Sequence, residues 1–138
     1  MTTRILIADD DVSIRRLLCR ILEEHSDWQV CGAVANGQNA VMRVADLNPD
    51  VVILDLAMPQ MNGLQAAQEI SARFPLLPLL LLTVQEVSSE LMKAAQKAGF
   101  SGAVSKSTGA EVVKAVEALL RERSFFTLSR SGLPGLTR

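Results

Sequence analysis

The sequence predicts an α/β domain in which a parallel β-sheet is covered by helices on both faces. Three short, uninterrupted apolar runs, at residues 5–8, 51–54 and 79–82, are typical of strands that are buried on both sides. Between the strands, apolar residues recur every three or four positions, which indicates helices. Strands that alternate with helices form parallel sheets through right-handed crossover connections.

Five strands and five helices follow one another along the chain. Residues 28–34 and 102–105 supply the second and fifth strands, and the more alternating pattern of 28–34 predicts an edge strand. The first helix has an apolar stripe from Ile14 to Leu22. The other four helices are indicated by shorter stripes, which lie within residues 40–47, 64–70, 87–98 and 112–120. Turn residues such as Asn, Gly and Pro fall where these segments change.

Composition and charge exclude several classes of protein. The 138 residues, 49% hydrophobic and 21% charged, suit one domain with a proper core. A formal net charge of -1 provides no basic excess for binding nucleic acid or a membrane surface directly. No signal peptide is visible, and the longest apolar run, 76–82, is interrupted by Pro78 and is too short to span a bilayer. We therefore expect a cytoplasmic protein with no membrane partner.

Polar side chains stand at the ends of four of the five predicted strands. They are Asp9 and Asp10 after the first strand, Asp55 after the third, Thr83 after the fourth and Lys106 after the fifth. In open parallel sheets, ligands bind beyond the carboxyl ends of the strands. A cluster of carboxylates needs a compensating cation, and oxygen ligands without His or thiolate partners favour Mg²⁺ or Mn²⁺. The pattern thus predicts a divalent metal site that would attract a phosphate.

The same residues resemble a known signalling family. The pattern of Asp9-Asp10, Asp55-x-x-Met58-Pro59-x-x-Asn62-Gly63, Thr83 and Lys106 resembles the receiver domain of two-component response regulators. The resemblance covers about residues 4–122 and implies a single flavodoxin-like (βα)5 domain with strand order 2-1-3-4-5. Segments 26–30 and 98–102 are most similar to the subfamily that carries a LuxR-type helix-turn-helix output domain.

The resemblance implies a phosphoryl acceptor and a metal site. Asp55 would receive the phosphoryl group from a phosphohistidine of a sensor histidine kinase. Asp10, Asp55 and the backbone carbonyl of Ala57 would hold Mg²⁺ or Mn²⁺, while Asp9 would mainly orient bound water. Asp11, in contrast, is expected to cap the first helix rather than to bind the metal.

The resemblance also implies how the phosphoryl group is stabilised and sensed. Thr83 would donate its hydroxyl to a phosphoryl oxygen, and the ammonium of Lys106 would neutralise phosphoryl charge. Most receivers have Tyr or Phe three residues before this lysine, where the present chain has Ala103. Val84 is bulkier than the residue common after the threonine, and we expect it to narrow the space near Ala103. Signal transmission would then rely on a shift of Thr83 and on backbone repacking near Ala103.

The end of the chain predicts a longer parent protein. Residues 1–123 are the predicted receiver domain, and residues 124–138, which contain Ser, Gly and Pro, indicate a linker. Residues 135–138 are similar to the start of a LuxR-type DNA-binding domain, so DNA would be bound only through a missing C-terminal domain. In the family, the face formed by the fourth helix, fifth strand and fifth helix often makes a homodimer, and we expect it as a candidate interface.

Two other interpretations are open on the sequence alone. One is a degenerate receiver that acts as an interaction module without phosphorylation, against which the retained Asp10, Asp55, Thr83 and Lys106 argue. The other is a small phosphohydrolase of the haloacid dehalogenase type, which residues 9–13 and Lys106 fit loosely. That class needs a later acidic motif and leaves Asp55 unexplained. We therefore expect a phospho-accepting regulatory domain rather than a turnover enzyme.

Overall fold

The computed structural model describes residues 2–106 and 109–126, which form alternating strands and helices. The strands are β1 (Thr3–Ala8), β2 (Trp28–Val34), β3 (Val51–Asp55), β4 (Leu79–Thr83), β5 (Gly102–Ser105) and β6 (Phe125–Phe126). The helices are α1 (Val12–Glu23), α2 (Gly37–Leu47), α3 (Gly63–Arg73), α4 (Ser89–Ala98) and α5 (Gly109–Leu120). None of the described helices is long and apolar enough to cross a membrane.

All the strands belong to one parallel sheet. Their order is β2-β1-β3-β4-β5-β6, which confirms the predicted flavodoxin-like order 2-1-3-4-5 and the edge position of β2. The register aligns the carboxyl ends of the central strands: Ala8 lies opposite Leu54, and Thr83 lies opposite Ser105. Polar residues that follow these strands are therefore delivered to a single edge of the sheet.

Two apolar cores, one on each face, hold the sheet in place. Successive side chains of a strand point to opposite faces, so Ile5 and Ile7 join one core and Leu6 and Ala8 the other. The first core lies under α1 and α5, and the second lies under α2, α3 and α4. β3 and β4 are buried along their whole length, as the uninterrupted apolar runs predicted.

The predicted role of Asp11 as a helix cap is confirmed. Its carboxylate accepts hydrogen bonds from the backbone N–H groups of Ser13 and Ile14 at the start of α1. Such a cap satisfies amide donors that have no partner within the helix. The cap also sets the direction in which the chain leaves β1, and the Asp9-Asp10 pair lies in this short connection.

The sixth strand was not predicted. Phe125 and Phe126, which were predicted to lie in the linker, pair with β5 on its outer edge. Phe125 packs against the α1–α5 core, and Phe126 packs against the core on the other face. The burial of two aromatic rings outweighs the tendency of the surrounding polar residues to form a loop. The remainder of the predicted linker, residues 127–138, lies outside the described residues.

Gly63 lets α3 begin directly against the end of β3. A Cβ atom at this position would lie 2.3 Å from the carbonyl oxygen of Asp55, a distance that no side chain tolerates. The N–H of Gly63 donates a hydrogen bond to the carbonyl of Leu56 at 3.0 Å. Gly63 is thus required for close approach of two backbone segments, whereas the positive φ in this loop, 69°, belongs to Gln60.

We predict that Gly63→Ala lowers the free energy of unfolding by about 2 kcal/mol, because the new methyl group must push α3 away from the backbone of Asp55. Gly109→Ala is the matched control. Gly109 also begins a helix, but its Cβ would meet only the flexible end of Ile21, so the cost should stay below about 1 kcal/mol. Urea unfolding of both variants measures the difference, and equal losses would contradict this account of Gly63.

Candidate functional site

Three carboxylates meet at the carboxyl edge of the sheet. Asp9 follows β1, Asp55 is the last residue of the adjacent β3, and Asp10 follows Asp9. Oxygen atoms from the three side chains lie within 4.8 Å of one another. Asp9 is completely buried and Asp55 is 4% exposed, whereas Asp10 is exposed to solvent. The site therefore combines two buried carboxylates with one carboxylate that faces solvent.

Lys106 supplies the cation that holds this cluster together. Its Nζ lies 2.8 Å from Oδ2 of Asp9 and 3.1 Å from Oδ1 of Asp55, and its side chain is 13% exposed. The backbone N–H of Lys106 donates to the carbonyl of Thr83 at 2.8 Å, which anchors the residue to the end of β4. The lysine side chain can thus reach across the edge of the sheet while its backbone stays fixed.

Burial and the negative charge of Asp9 both act on the pKa of Asp55. Burial, reinforced by the negative charge of Asp9, raises the pKa of the Asp55 carboxyl above its ordinary value, and Lys106 offsets only part of this rise. Burial lowers the pKa of Lys106, but its contacts with Asp9 and Asp55 outweigh burial, so the pKa of Lys106 is raised. Lys106 therefore stays charged, and the ionised form of Asp55 is costly in the absence of a further cation.

The charge balance suits a divalent metal ion. Three carboxylates face a single ammonium, and two carboxylates 4 to 5 Å apart repel by about 3 kcal/mol at an effective dielectric of about 20. All the side-chain donors are hard oxygen atoms, which are the ligands of Mg²⁺ and Mn²⁺. Asp10 and Asp55 are placed to contribute such oxygens. Ala57, exposed in the loop after β3, was predicted to add its carbonyl, and this role stays a prediction.

Thr83 is the last residue of β4 and is almost completely buried. Its Oγ1 accepts a hydrogen bond from the N–H of Gln85 at 3.1 Å. This bond uses the hydroxyl as an acceptor, so its proton is still free to be donated to a ligand. The predicted role of Thr83 in contacting a phosphoryl group stays a prediction.

Three contacts of Asp9 were not predicted from the sequence. Its carboxylate is the nearer partner of Lys106, and its Oδ1 accepts from the N–H of Asp11 at 2.9 Å. Its backbone carbonyl also accepts a hydrogen bond from Nη1 of Arg15 at 2.7 Å. Asp9 is therefore held from several sides. The position of Arg15 on the first turn of α1, shortly after the acidic pair, is the feature of the sequence that indicates this contact.

Val84 does not lie near Ala103 in the way that was predicted. Val84 is 78% exposed, so the prediction that its side chain narrows the interior space near Ala103 is wrong. The chain turns away from the sheet after Thr83, and this turn carries Val84 into solvent. Ala103 itself is completely buried on the same face of the sheet as Phe126.

We predict that Asp55→Asn raises the free energy of unfolding at pH 7 by about 1 kcal/mol when divalent ions are removed with a chelator. Because the pKa of Asp55 is raised by folding, the wild type loses stability as pH rises from the ordinary Asp pKa towards the raised value. The advantage of the variant should therefore disappear below the ordinary Asp pKa. Urea titrations over a pH series measure both effects.

Lys106→Met is the opposing control for this prediction. It leaves Asp9 and Asp55 buried without a cation and should cost about 3 kcal/mol at pH 7. A loss of stability in both variants would mean that the ion pair of Asp55 with Lys106 outweighs its burial and its repulsion from Asp9.

We predict that millimolar Mg²⁺ raises the melting temperature of the wild type, because a ligand that binds only the folded state stabilises it. At 100 times the dissociation constant the gain is about 2.7 kcal/mol. Asp10→Asn and Asp55→Asn should remove most of the shift. Asp11→Asn is the matched control: it removes a neighbouring charge, retains a good helix cap and should keep the full shift. An equal loss of the shift in Asp11→Asn would indicate nonspecific screening.

Comparisons with known proteins agree with this geometry. Residues 5–117 match the family described as response regulator receiver domain. A LuxR-family two-component response regulator from Aurantimonas sp. SI85-9A1 has a similar crystal structure, with a TM-score of 0.86, 31% identity and coverage of 91% of this chain and 89% of that chain. The response regulator protein VraR of Staphylococcus aureus is 32% identical over 127 residues, which are 91% of this chain and 60% of that protein.

Other similar proteins are enzymes that share only part of their length with this chain. The protein-glutamate methylesterase/protein-glutamine glutaminase of Pseudoalteromonas atlantica is 43% identical over 94 residues, which are 66% of this chain and 24% of that protein. The chain thus spans about a quarter of the length of that relative. The likeness concerns the segment that matches the receiver family.

Proposed function

We propose a function for this chain from its family, because it belongs to the response regulator receiver domains of two-component signalling. In this proposal, the chain accepts a phosphoryl group on Asp55 and transmits this event to an output. One observation carries the proposal. The carboxylate of Asp55 lies at the carboxyl edge of the sheet, beside Asp9 and Asp10 and in contact with Nζ of Lys106 at 3.1 Å. A buried carboxylate that contacts one ammonium and lies in a cluster of carboxylates able to hold a metal ion suits phosphoryl transfer.

Asp55 acts as the nucleophile in this proposal. Lys106 holds Oδ1, so Oδ2 attacks the phosphorus of a phosphohistidine on a sensor histidine kinase. The new P–O bond forms as the P–N bond breaks, and the imidazole leaves with the electron pair of that bond. The product is an acyl phosphate on Asp55. This proposal assigns the chain a regulatory role in which it is itself the substrate.

Asp10, Asp55 and the carbonyl of Ala57 would hold the metal ion, with Asp9 orienting its water. When bound, Mg²⁺ supplies positive charge that offsets both the carboxylates and the incoming phosphoryl oxygens. Asp10 is the exposed member of the cluster, so an ion can enter from solvent on its side. Before transfer, the carboxylate of Asp9 contacts Lys106 and its backbone carbonyl accepts from Arg15, which keeps the ammonium close to the reacting atoms.

Lys106 and Thr83 would contact the phosphoryl group. The ammonium moves from its position between Asp9 and Asp55 to a phosphoryl oxygen, a short displacement for a flexible side chain. The Thr83 hydroxyl donates its proton to another oxygen while it continues to accept from the N–H of Gln85. These contacts exist only after transfer, so they favour a second arrangement of the ends of β4 and β5.

The relatives support a DNA-binding output domain for the parent protein. Similarity to LuxR-family response regulators and to VraR supports a receiver over residues 1–123, whose sheet Phe125 and Phe126 extend as β6, and a connection to a DNA-binding domain in the rest of residues 124–138. The partners would be a sensor histidine kinase and, through that further domain, DNA. A homodimer through the face of α4, β5 and α5 is part of the proposal, and β6 lies along the same edge.

We predict that incubation with acetyl phosphate and Mg²⁺ adds one phosphoryl group to Asp55, which intact-mass measurement and peptide mapping after borohydride trapping locate. Asp55→Asn should remove the adduct, whereas Asp11→Asn, outside the carboxylate cluster, should retain it. Asp10→Asn and Lys106→Met should slow its formation at least about tenfold, since both remove charge stabilisation. An adduct on Asp9 would support a phosphohydrolase, and the absence of any adduct would support an interaction module without phosphorylation.

A further inference from the structure

The outer edge of β5 is covered by a strand from the same chain. Phe125 pairs with Gly102 and Phe126 with Ala103, in parallel orientation. The N–H of Phe125 donates to the carbonyl of Ser101 at 2.9 Å. β5 therefore has a neighbour on each side at its beginning, β4 on the inner side and β6 on the outer side.

Two small residues in β5 make room for this strand. A Cβ atom at Gly102 would lie 2.5 Å from the carbonyl oxygen of Phe125, so any larger residue there would displace β6. The next residue, Ala103, is completely buried and lies opposite Phe126, which packs on the same core. β6 thus places the ring of Phe126 on this face of the sheet, beside Ala103 of β5, whose side chain is only a methyl group.

The strand that pairs with β6 also leads into the functional site. β5 ends at Ser105, and the next residue, Lys106, contacts Asp9 and Asp55. In the structure, β6 is therefore paired with β5 while Lys106 contacts both Asp9 and Asp55. Only two residues separate Ala103, opposite Phe126, from Lys106.

A phosphoryl group on Asp55 would disturb this arrangement. It replaces one negative charge by roughly two and adds bulk at a position that Nζ of Lys106 now approaches to 3.1 Å. The side chain of Lys106 then follows the phosphoryl oxygens, and its new contact favours the second arrangement of the ends of β4 and β5 proposed above. A strand that is paired on both edges resists such a shift more than a strand paired on one edge, because its backbone bonds and the ring of Phe126 must move as well.

We propose that β6 restrains β5 in the unphosphorylated arrangement and that phosphorylation of Asp55 weakens its pairing. The proposal rests on the proposed function of Asp55. It makes Phe126 a positioning residue that acts on the site through β5. Phe126 lies opposite Ala103, so the pairing of β6 is connected to Lys106 through the last residues of β5.

Linkage makes the effect reciprocal. If the phosphoryl group weakens β6 pairing, then loss of β6 pairing must strengthen binding of a phosphoryl mimic by the same factor. Coupling between sites in one domain is typically about 5-fold to 150-fold. The full chain of residues 1–138 is suitable for both measurements, with Mg²⁺ and beryllofluoride as a stable mimic of the phosphoryl group.

The first measurement is amide hydrogen exchange by NMR at Phe125, whose N–H bonds to Ser101. We expect exchange at least about fivefold faster when Mg²⁺ and beryllofluoride are both present. Mg²⁺ alone should leave the rate within about twofold of its starting value, and Asp55→Asn should show no response to the mimic. Unchanged or slower exchange in a wild type that binds beryllofluoride would overturn the proposal.

The second measurement is the affinity for beryllofluoride in variants of the strand. Phe126→Ala should bind at least about fivefold more tightly than the wild type. Phe74→Ala is the matched control, because Phe74 is also a half-buried ring on the same core but lies at the end of α3, away from β5. Its affinity should stay within about twofold of the wild type. Gly102→Ala, which displaces β6 through the backbone of Phe125, should reproduce the effect of Phe126→Ala.

The outcomes separate this inference from the function on which it rests. Equal tightening in Phe126→Ala and Phe74→Ala would indicate general loosening of the core and would overturn the role of β6. Unchanged or weaker binding in Phe126→Ala and Gly102→Ala would overturn it as well. If the wild type binds no beryllofluoride and takes no phosphoryl group from acetyl phosphate, the proposed function fails first and this inference fails with it.

Discussion

The contacts of one ammonium group with two carboxylates are the interaction on which the rest of the site depends. Nζ of Lys106 lies between Asp9, which is fully buried, and Asp55, which is nearly so. Two carboxylates whose oxygens lie within 4.8 Å of each other would be costly to bury without a cation, and the ammonium of Lys106 does not balance three carboxylates. The resulting excess of negative charge suits the carboxylate cluster to a divalent ion, and in the proposed function Lys106 contacts the added phosphoryl group.

The parallel sheet makes this arrangement possible by bringing remote residues to one edge. Asp9, Asp55 and Lys106 are far apart in the chain, but each follows or ends a strand that points in the same direction. Two cores, one on each face, hold the strands in register. The loop after β3 is held just as closely, since Gly63 places α3 against the carbonyl of Asp55. The edge of the sheet therefore rests on two packed cores and is open to solvent at Asp10.

Most of the architecture was predictable because its strands and helices follow from local patterns in the sequence. The apolar runs of β3 and β4 and the helical stripes gave the elements, and Asp11 was correctly expected to cap α1. β6 was not predictable in this way. Two phenylalanines among polar residues have no period, and their pairing depends on the small residues Gly102 and Ala103 in another segment. Val84 was misjudged for a related reason, because its exposure depends on the direction of the chain after Thr83.

The sequence by itself determined which residues end the strands, and therefore that Asp9, Asp10, Asp55, Thr83 and Lys106 belong to one edge of a parallel sheet. It did so because apolar runs and helical periods are local properties of the chain. Only the tertiary structure decided that Lys106 contacts Asp9 more closely than Asp55, that Arg15 holds the backbone of Asp9, and that β6 covers β5. Those contacts depend on strand register and side-chain reach between distant segments, which no local pattern specifies.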